Sequence, residues 1–74
     1  MLASKLINLG SKSLKQNLIS SHTLDSELIL SKILKKSREK ILTSSELNIS
    51  RDTLLEFNRL IKRRIKSEPM AYIL

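Results

Sequence analysis

A chain with one glycine, Gly10, and one proline, Pro69, has few places to turn. Sheet proteins need a turn between every pair of short strands, and Gly and Pro supply many of them. Their scarcity restricts this chain to a few long helices. At 74 residues it holds one small domain, and such a domain buries only about 60% of the surface its unfolded chain exposes. The predicted fold is all-α: a small bundle of four to five helices, at about 2–18, 22–36, 38–44 and 50–66, followed by an extended C-terminal tail.

Hydrophobic periodicity places the helices. In the first, Leu2, Leu6, Ile7, Leu9, Leu14 and Leu18 share half of the wheel with Ala3 and Gly10, opposite Lys5, Asn8, Lys12, Lys15 and Gln16. Gly10 lies in the apolar arc. There it either admits a close helix contact, at about 1 kcal/mol in propensity, or divides the segment into two short helices. Ser21, with Thr23 as competitor, is the expected cap of the second helix, and Asp25 lies near that helix's positive end. His22 is expected to be a solvent-exposed first-turn residue. Leu24, Leu28, Ile29, Leu30, Ile33 and Leu34 run nearly all round this helix, which marks it as central. Ser37 and Ser50 cap the third and last helices, and Leu47 and Ile49 are available to plug a bundle end.

The last helix divides sharply. Leu54, Phe57, Leu60, Ile61 and Ile65 form its core stripe, and Arg59, Lys62, Arg63 and Lys66 form the opposite, basic stripe. Arg64 projects within the apolar arc. It either lies at the edge with its head in water or pairs with a carboxylate, Asp25 or Glu68, because a buried unpaired guanidinium is too costly. Pro69 forces the helix to end by Glu68. The run Met70-Ala71-Tyr72-Ile73-Leu74 carries aromatic and β-branched residues with no helical stripe, and reads as an extended, loosely packed segment or a first strand.

Composition narrows the chemistry. Without cysteine there are no disulfides or thiolate metal sites, and a reducing compartment such as the cytoplasm is the natural home. No apolar run approaches the roughly 20 residues of a membrane span. One histidine cannot form a His pair for a metal, and Gly10 alone makes no phosphate-binding loop. The twelve serines have no evident activating base, so the chain by itself is expected to catalyse nothing. The formal charge of +7 suits acidic partners, although compositional bias toward Lys, Ile, Ser and Asn accounts for it equally well. The basic stripe reads either as a contact face for phosphates or an acidic protein, or as a solvated helix face. It lacks interleaved aromatics, Asn or Gln for reading bases.

The phrase "LIKRRIKSEPMAYIL" resembles the end of the N-terminal domain of the HemK/PrmC family, the release factor glutamine methyltransferases. The family pattern is roughly L-I-x-R-R-x-x-G-E-P-x-A-Y-I-L-G, matched here by Leu60, Ile61, Arg63, Arg64, Glu68, Pro69, Ala71, Tyr72, Ile73 and Leu74. Ser67 replaces the family's Gly, which counts against a left-handed helix cap there. "ISSHTLDSELIL" is similar to the family's I-x-S-P-R-L-D-A-E-x-L-L through Ile19, Ser21, Leu24, Asp25, Glu27 and Leu30, with His22 in place of Pro. "SREKIL" resembles its third-helix segment.

The resemblance implies a helical substrate-docking domain over residues 1–67. Residues 68–74, with Glu68, Pro69, Ala71 and Tyr72, would begin the connection to a Rossmann-like methyltransferase domain that binds S-adenosylmethionine and carries an N-P-P-Y motif. That domain methylates the Gln of G-G-Q in class I peptide release factors. The implied partners are those factors and the methyltransferase domain itself; no membrane is implied, and the chain is expected to be monomeric. Arg59, Lys62, Arg63 and Lys66 are the expected docking residues, with the Lys-bearing face of the first helix as a rival. Asp25 and Arg64 are the expected structural ion pair. No cofactor or metal is expected in this chain. The rival functions are a basic nucleic-acid-binding bundle and a purely structural domain.

Overall fold

A computed structural model describes residues 1–44 and 46–74. Among them are five helices: α1 (Ala3–Gln16), α2 (His22–Leu34), α3 (Arg38–Thr43), α4 (Arg51–Ile65) and α5 (Met70–Ile73). They pack into a body of 31 × 20 × 18 Å. α2 is central, touching α1, α3 and α4, as a helix apolar on most sides must. The core joins Leu6, Ile7 and Leu14 of α1, Ile29 and Leu30 of α2, and Phe57, Leu60 and Ile61 of α4, with Ile41, Ile49 and Ile73 closing its ends.

Helix α1 is continuous through Gly10, because the missing side chain is what lets α1, α2 and α4 meet. A Cβ placed there would lie 2.6 Å from Phe57 Cζ and 2.6 Å from Ser26 Oγ. Both neighbours are fully buried. Ser26 Oγ donates to the Ile7 carbonyl at 2.7 Å, fastening α2 to α1 at the same point.

The apolar arc predicted for α1 is wider than the face it buries: Leu2, Leu9 and Leu18 are exposed. Leu18 leaves the helix altogether. It adopts a left-handed conformation (φ 63°). Its N–H bonds the Lys15 carbonyl while the Ile19 N–H bonds that of Leu14, the pairing of a Schellman cap. Lys35 (φ 55°) ends α2 and Ser67 (φ 68°) ends α4 by the same two-bond pattern. The left-handed cap at Ser67 thus forms without glycine: Ser67 N–H bonds the Arg64 carbonyl at 2.9 Å, and this pairing holds the conformation that the side chain disfavours.

Ser37 and Ser50 cap α3 and α4 by accepting from the N–H groups of Lys40 and Thr53. Ser21 does not cap α2. Its backbone (ψ 26°) lacks the extended geometry of a capping residue, and its hydroxyl donates to the stronger acceptor, Asp25 Oδ2, at 2.8 Å. Thr23 turns instead toward Ser11. The loop after α3 secures the N-terminus: Ala3 N–H donates to the Leu47 carbonyl and Ile49 N–H to that of Met1, each at 2.8 Å. The Leu47 carbonyl thereby takes the place of a side-chain cap on α1. Ser45 lies outside the described residues.

The tail corrects the expectation of an extended, loosely packed segment. Met70–Ile73 forms one helical turn, with Pro69 at its N-cap and Ile73 only 6% exposed. Pro69 removes no needed donor at that position. The segment is too short for periodicity to reveal a helix, and what fixes it is the seat that Ile73 finds on the bundle.

Candidate functional site

Every ion pair among the described residues uses an arginine. Arg38 Nε meets Glu27 at 2.9 Å, tying α3 to α2. Arg64 Nε donates to Asp25 Oδ2 at 2.9 Å, joining α4 to α2 across the core edge. Asp25 is 3% exposed, and Ser21 Oγ occupies the same oxygen, so the carboxylate is held by two donors. Arg64 Nη1 also reaches the Glu68 backbone carbonyl at 3.3 Å. Of the two candidate partners, Asp25 supplies the charge and Glu68 only a main-chain oxygen.

The turn between α4 and α5 is built by Arg63. Its Nε donates to Glu68 Oε2 at 2.8 Å and its Nη2 to Glu68 Oε1, a two-pronged contact, and Nη2 also reaches the Tyr72 carbonyl at 3.2 Å. One guanidinium thus folds the chain back on itself, with Pro69 between its two anchors. The hydrogen bond from Arg63 holds the Glu68 carboxyl below the usual carboxylate range. Arg59 does the same to Glu56, one turn earlier on α4, through contacts of 2.5 and 3.1 Å.

With α5 in place, a recess of about 250 Å³ opens between α2, α4 and α5. Its lining is Lys32 and Ile33 from α2, Glu56, Arg59, Leu60 and Arg63 from α4, and Ile73 from α5. The α4 residues recur at the spacing of one helical face. Leu60 and Ile73 are buried and Ile33 is partly so, giving an apolar floor; the charged groups form the rim.

The predicted basic stripe is therefore divided. Arg59 and Arg63 face the recess, each beside a carboxylate of this chain, whereas Lys62 and Lys66 are exposed and outside it. Of the linker residues, Glu68 is half-buried in its contact with Arg63, and Pro69, Ala71 and Tyr72 are exposed, Tyr72 at 74%. Lys32, Ile33 and Ile73 were not legible as site residues, because the recess exists only once α5 folds onto α4. His22 also departs from expectation. It is half-buried, with Nδ1 2.7 Å from Ser11 Oγ, because the α1–α2 turn brings it against α1. Among the described residues no cluster of three or more His, Asp or Glu could hold a metal ion, and no helix is long and apolar enough to cross a membrane.

The sequence profile described as the PrmC N-terminal domain matches residues 5–74. The chain belongs to that family. Among curated relatives, it is 40% identical over 55 residues to the release factor glutamine methyltransferase of Buchnera aphidicola subsp. Baizongia pistaciae, covering 74% of this chain and 20% of that protein. It is 41% identical over 51 residues to that of Coxiella burnetii, covering 69% and 18%. The enzyme of Clostridium botulinum is 35% identical over 74 residues, all of this chain and 26% of that protein. The chain thus spans about a fifth to a quarter of the length of these relatives. No solved structure matches it. For this member of the PrmC N-terminal domain family, the Arg63–Glu68 contact and the Asp25–Arg64 pair fall on the motif positions that carried the resemblance.

Proposed function

We propose that this chain is the substrate-docking part of a protein-glutamine methyltransferase acting on class I peptide release factors in the cytoplasm. The observation that carries the reading is the match of residues 5–74 to the PrmC N-terminal domain, in a chain whose relatives are named release factor glutamine methyltransferases. Residues 1–67 form the docking unit, and residues 68–74 begin the connection to the catalytic part. The S-adenosylmethionine and the N-P-P-Y chemistry belong to that catalytic part. The role of the bundle is to hold a large protein so that one glutamine reaches a distant active site, which raises effective concentration and fixes orientation.

A titration of the ¹⁵N-labelled chain with a class I release factor tests this. Chemical-shift changes confined to one face are expected. A generic RNA duplex should give only weak shifts that vanish with salt. Shifts with RNA that exceed those with the release factor would refute docking and favour a nucleic-acid partner for the +7 charge.

A further inference from the structure

The recess between α2, α4 and α5 has the features of an anchor site. Its volume of about 250 Å³ falls below the roughly 300–1,000 Å³ of clefts that enclose small-molecule ligands. It suits one or two side chains of a protein partner. The floor of Ile33, Leu60 and Ile73 is apolar, and the rim carries Lys32, Arg59 and Arg63 against Glu56. Lys32 has no ion-pair partner among the described residues. Arg59 is paired, but with a carboxylate that is itself 43% exposed, so an incoming acid can share or replace it without uncovering a buried charge. Arg64, by contrast, is committed to a buried carboxylate and is not available.

We propose that this recess binds a partner segment presenting one Leu-, Met- or Phe-sized side chain flanked by Asp or Glu. The apolar side chain lies over Ile33, Leu60 and Ile73, and the acids meet Lys32 and Arg59. An apolar anchor in a pocket supplies binding energy, and the charged rim selects among partners. The proposal deepens the docking reading: it makes the recess, and not Lys62 or Lys66, the point of contact with the release factor.

Two arms keep the proposals separable. In the first, the chain with labelled Ile and Leu methyl groups is titrated to about 10 mM with a short peptide containing Asp-Leu-Glu, within reach of a millimolar Kd. The controls are Asp-Gly-Glu and Lys-Leu-Lys peptides. Shifts at Ile33, Leu60 and Ile73 with the first peptide alone are expected. Their absence overturns the site, even if the release factor binds elsewhere. In the second arm, Lys32→Glu is compared with Lys62→Glu, an equal charge change outside the recess. Lys32→Glu is expected to weaken release-factor binding about tenfold, and Lys62→Glu less than threefold. Equal losses mean that the charge acts as a general field, which overturns the anchor assignment. Peptide shifts without any release-factor binding would uphold the site and sink the docking reading. Shifts of the same methyl groups on concentrating the chain alone would give the recess to a second copy and overturn the proposal.

Discussion

Replacing Gly10 by Ala should reverse the usual sign of such a change. In an exposed helix interior, Ala is favoured over Gly by about 1 kcal/mol. Here the added methyl would lie 2.6 Å from Phe57 Cζ and 2.8 Å from Cε1, so the ring must retreat by roughly 1 Å to regain ordinary contact. Phe57 is fully buried, so the ring can retreat only against its core neighbours. Overpacking of this kind costs about 1–3 kcal/mol. The methyl also displaces Ser26 Oγ, whose bond to the Ile7 carbonyl contributes about 1 kcal/mol and whose hydroxyl would otherwise stay buried and unsatisfied. The balance is a loss of about 1–3 kcal/mol. A chain this short is held by roughly 4–11 kcal/mol in all, and each kcal/mol moves Tm by about 4–8 °C. Thermal and urea unfolding followed by far-UV circular dichroism would measure it, since the chain has no tryptophan. The two sites should also be coupled: in a Phe57→Leu background, where the ring's far edge is gone, Gly10→Ala should cost about 1–2 kcal/mol less. A Gly10→Ala protein as stable as the parent, or no coupling with Phe57, would refute the close three-helix contact.

Arg64→Ala leaves Asp25 buried with only Ser21 to bond it, and should cost about 3 kcal/mol, whereas the double change Asp25→Leu/Arg64→Met should recover most of that; urea midpoints measured on both variants decide this. Ser67→Gly should stabilise the chain by about 0.5–1 kcal/mol, because glycine accepts the left-handed conformation at no steric cost; a lowered Tm would count against the cap. Acid should release α5. Glu68 is held below the usual carboxylate range in the folded chain, so its contribution is present above the unfolded value of about 4.3 and is lost as pH falls through the lower folded value. Amide exchange at Tyr72 and Ile73 should therefore quicken relative to that of α2 between about pH 5 and 3, and Glu68→Gln should remove that difference.

The stripes of α1 and α4 and the all-round apolar pattern of α2 were legible because each runs over three or more turns, so that it survives a residue or two of error at the ends. Gly10 was legible as a choice between contact and break, and the nearness of Phe57, 47 positions along the chain, settled it. The Asp25–Arg64 pairing was likewise open in sequence, because residues 39 apart meet only after α2 and α4 pack. The left-handed caps at Leu18 and Lys35 were hidden, since the usual signal is a glycine. At Ser67 the absence of glycine pointed the wrong way. The recess was least legible: it requires α5, whose four residues carry no period, and Lys32, which the pattern of α2 does not single out.

The division of labour between the two basic residue types has a practical consequence. Arginines are engaged in every ion pair among the described residues, three of which fasten one helix or turn to another, while the lysines of α1, α2 and α4 take part in none of them and, apart from Lys32 on the recess rim, add to the surrounding field. Dissolved salt screens such a field over about 8–10 Å but hardly reaches a carboxylate as covered as Asp25. Ionic strength should therefore act as a selective dial on this molecule, loosening whatever it holds while leaving the holder intact.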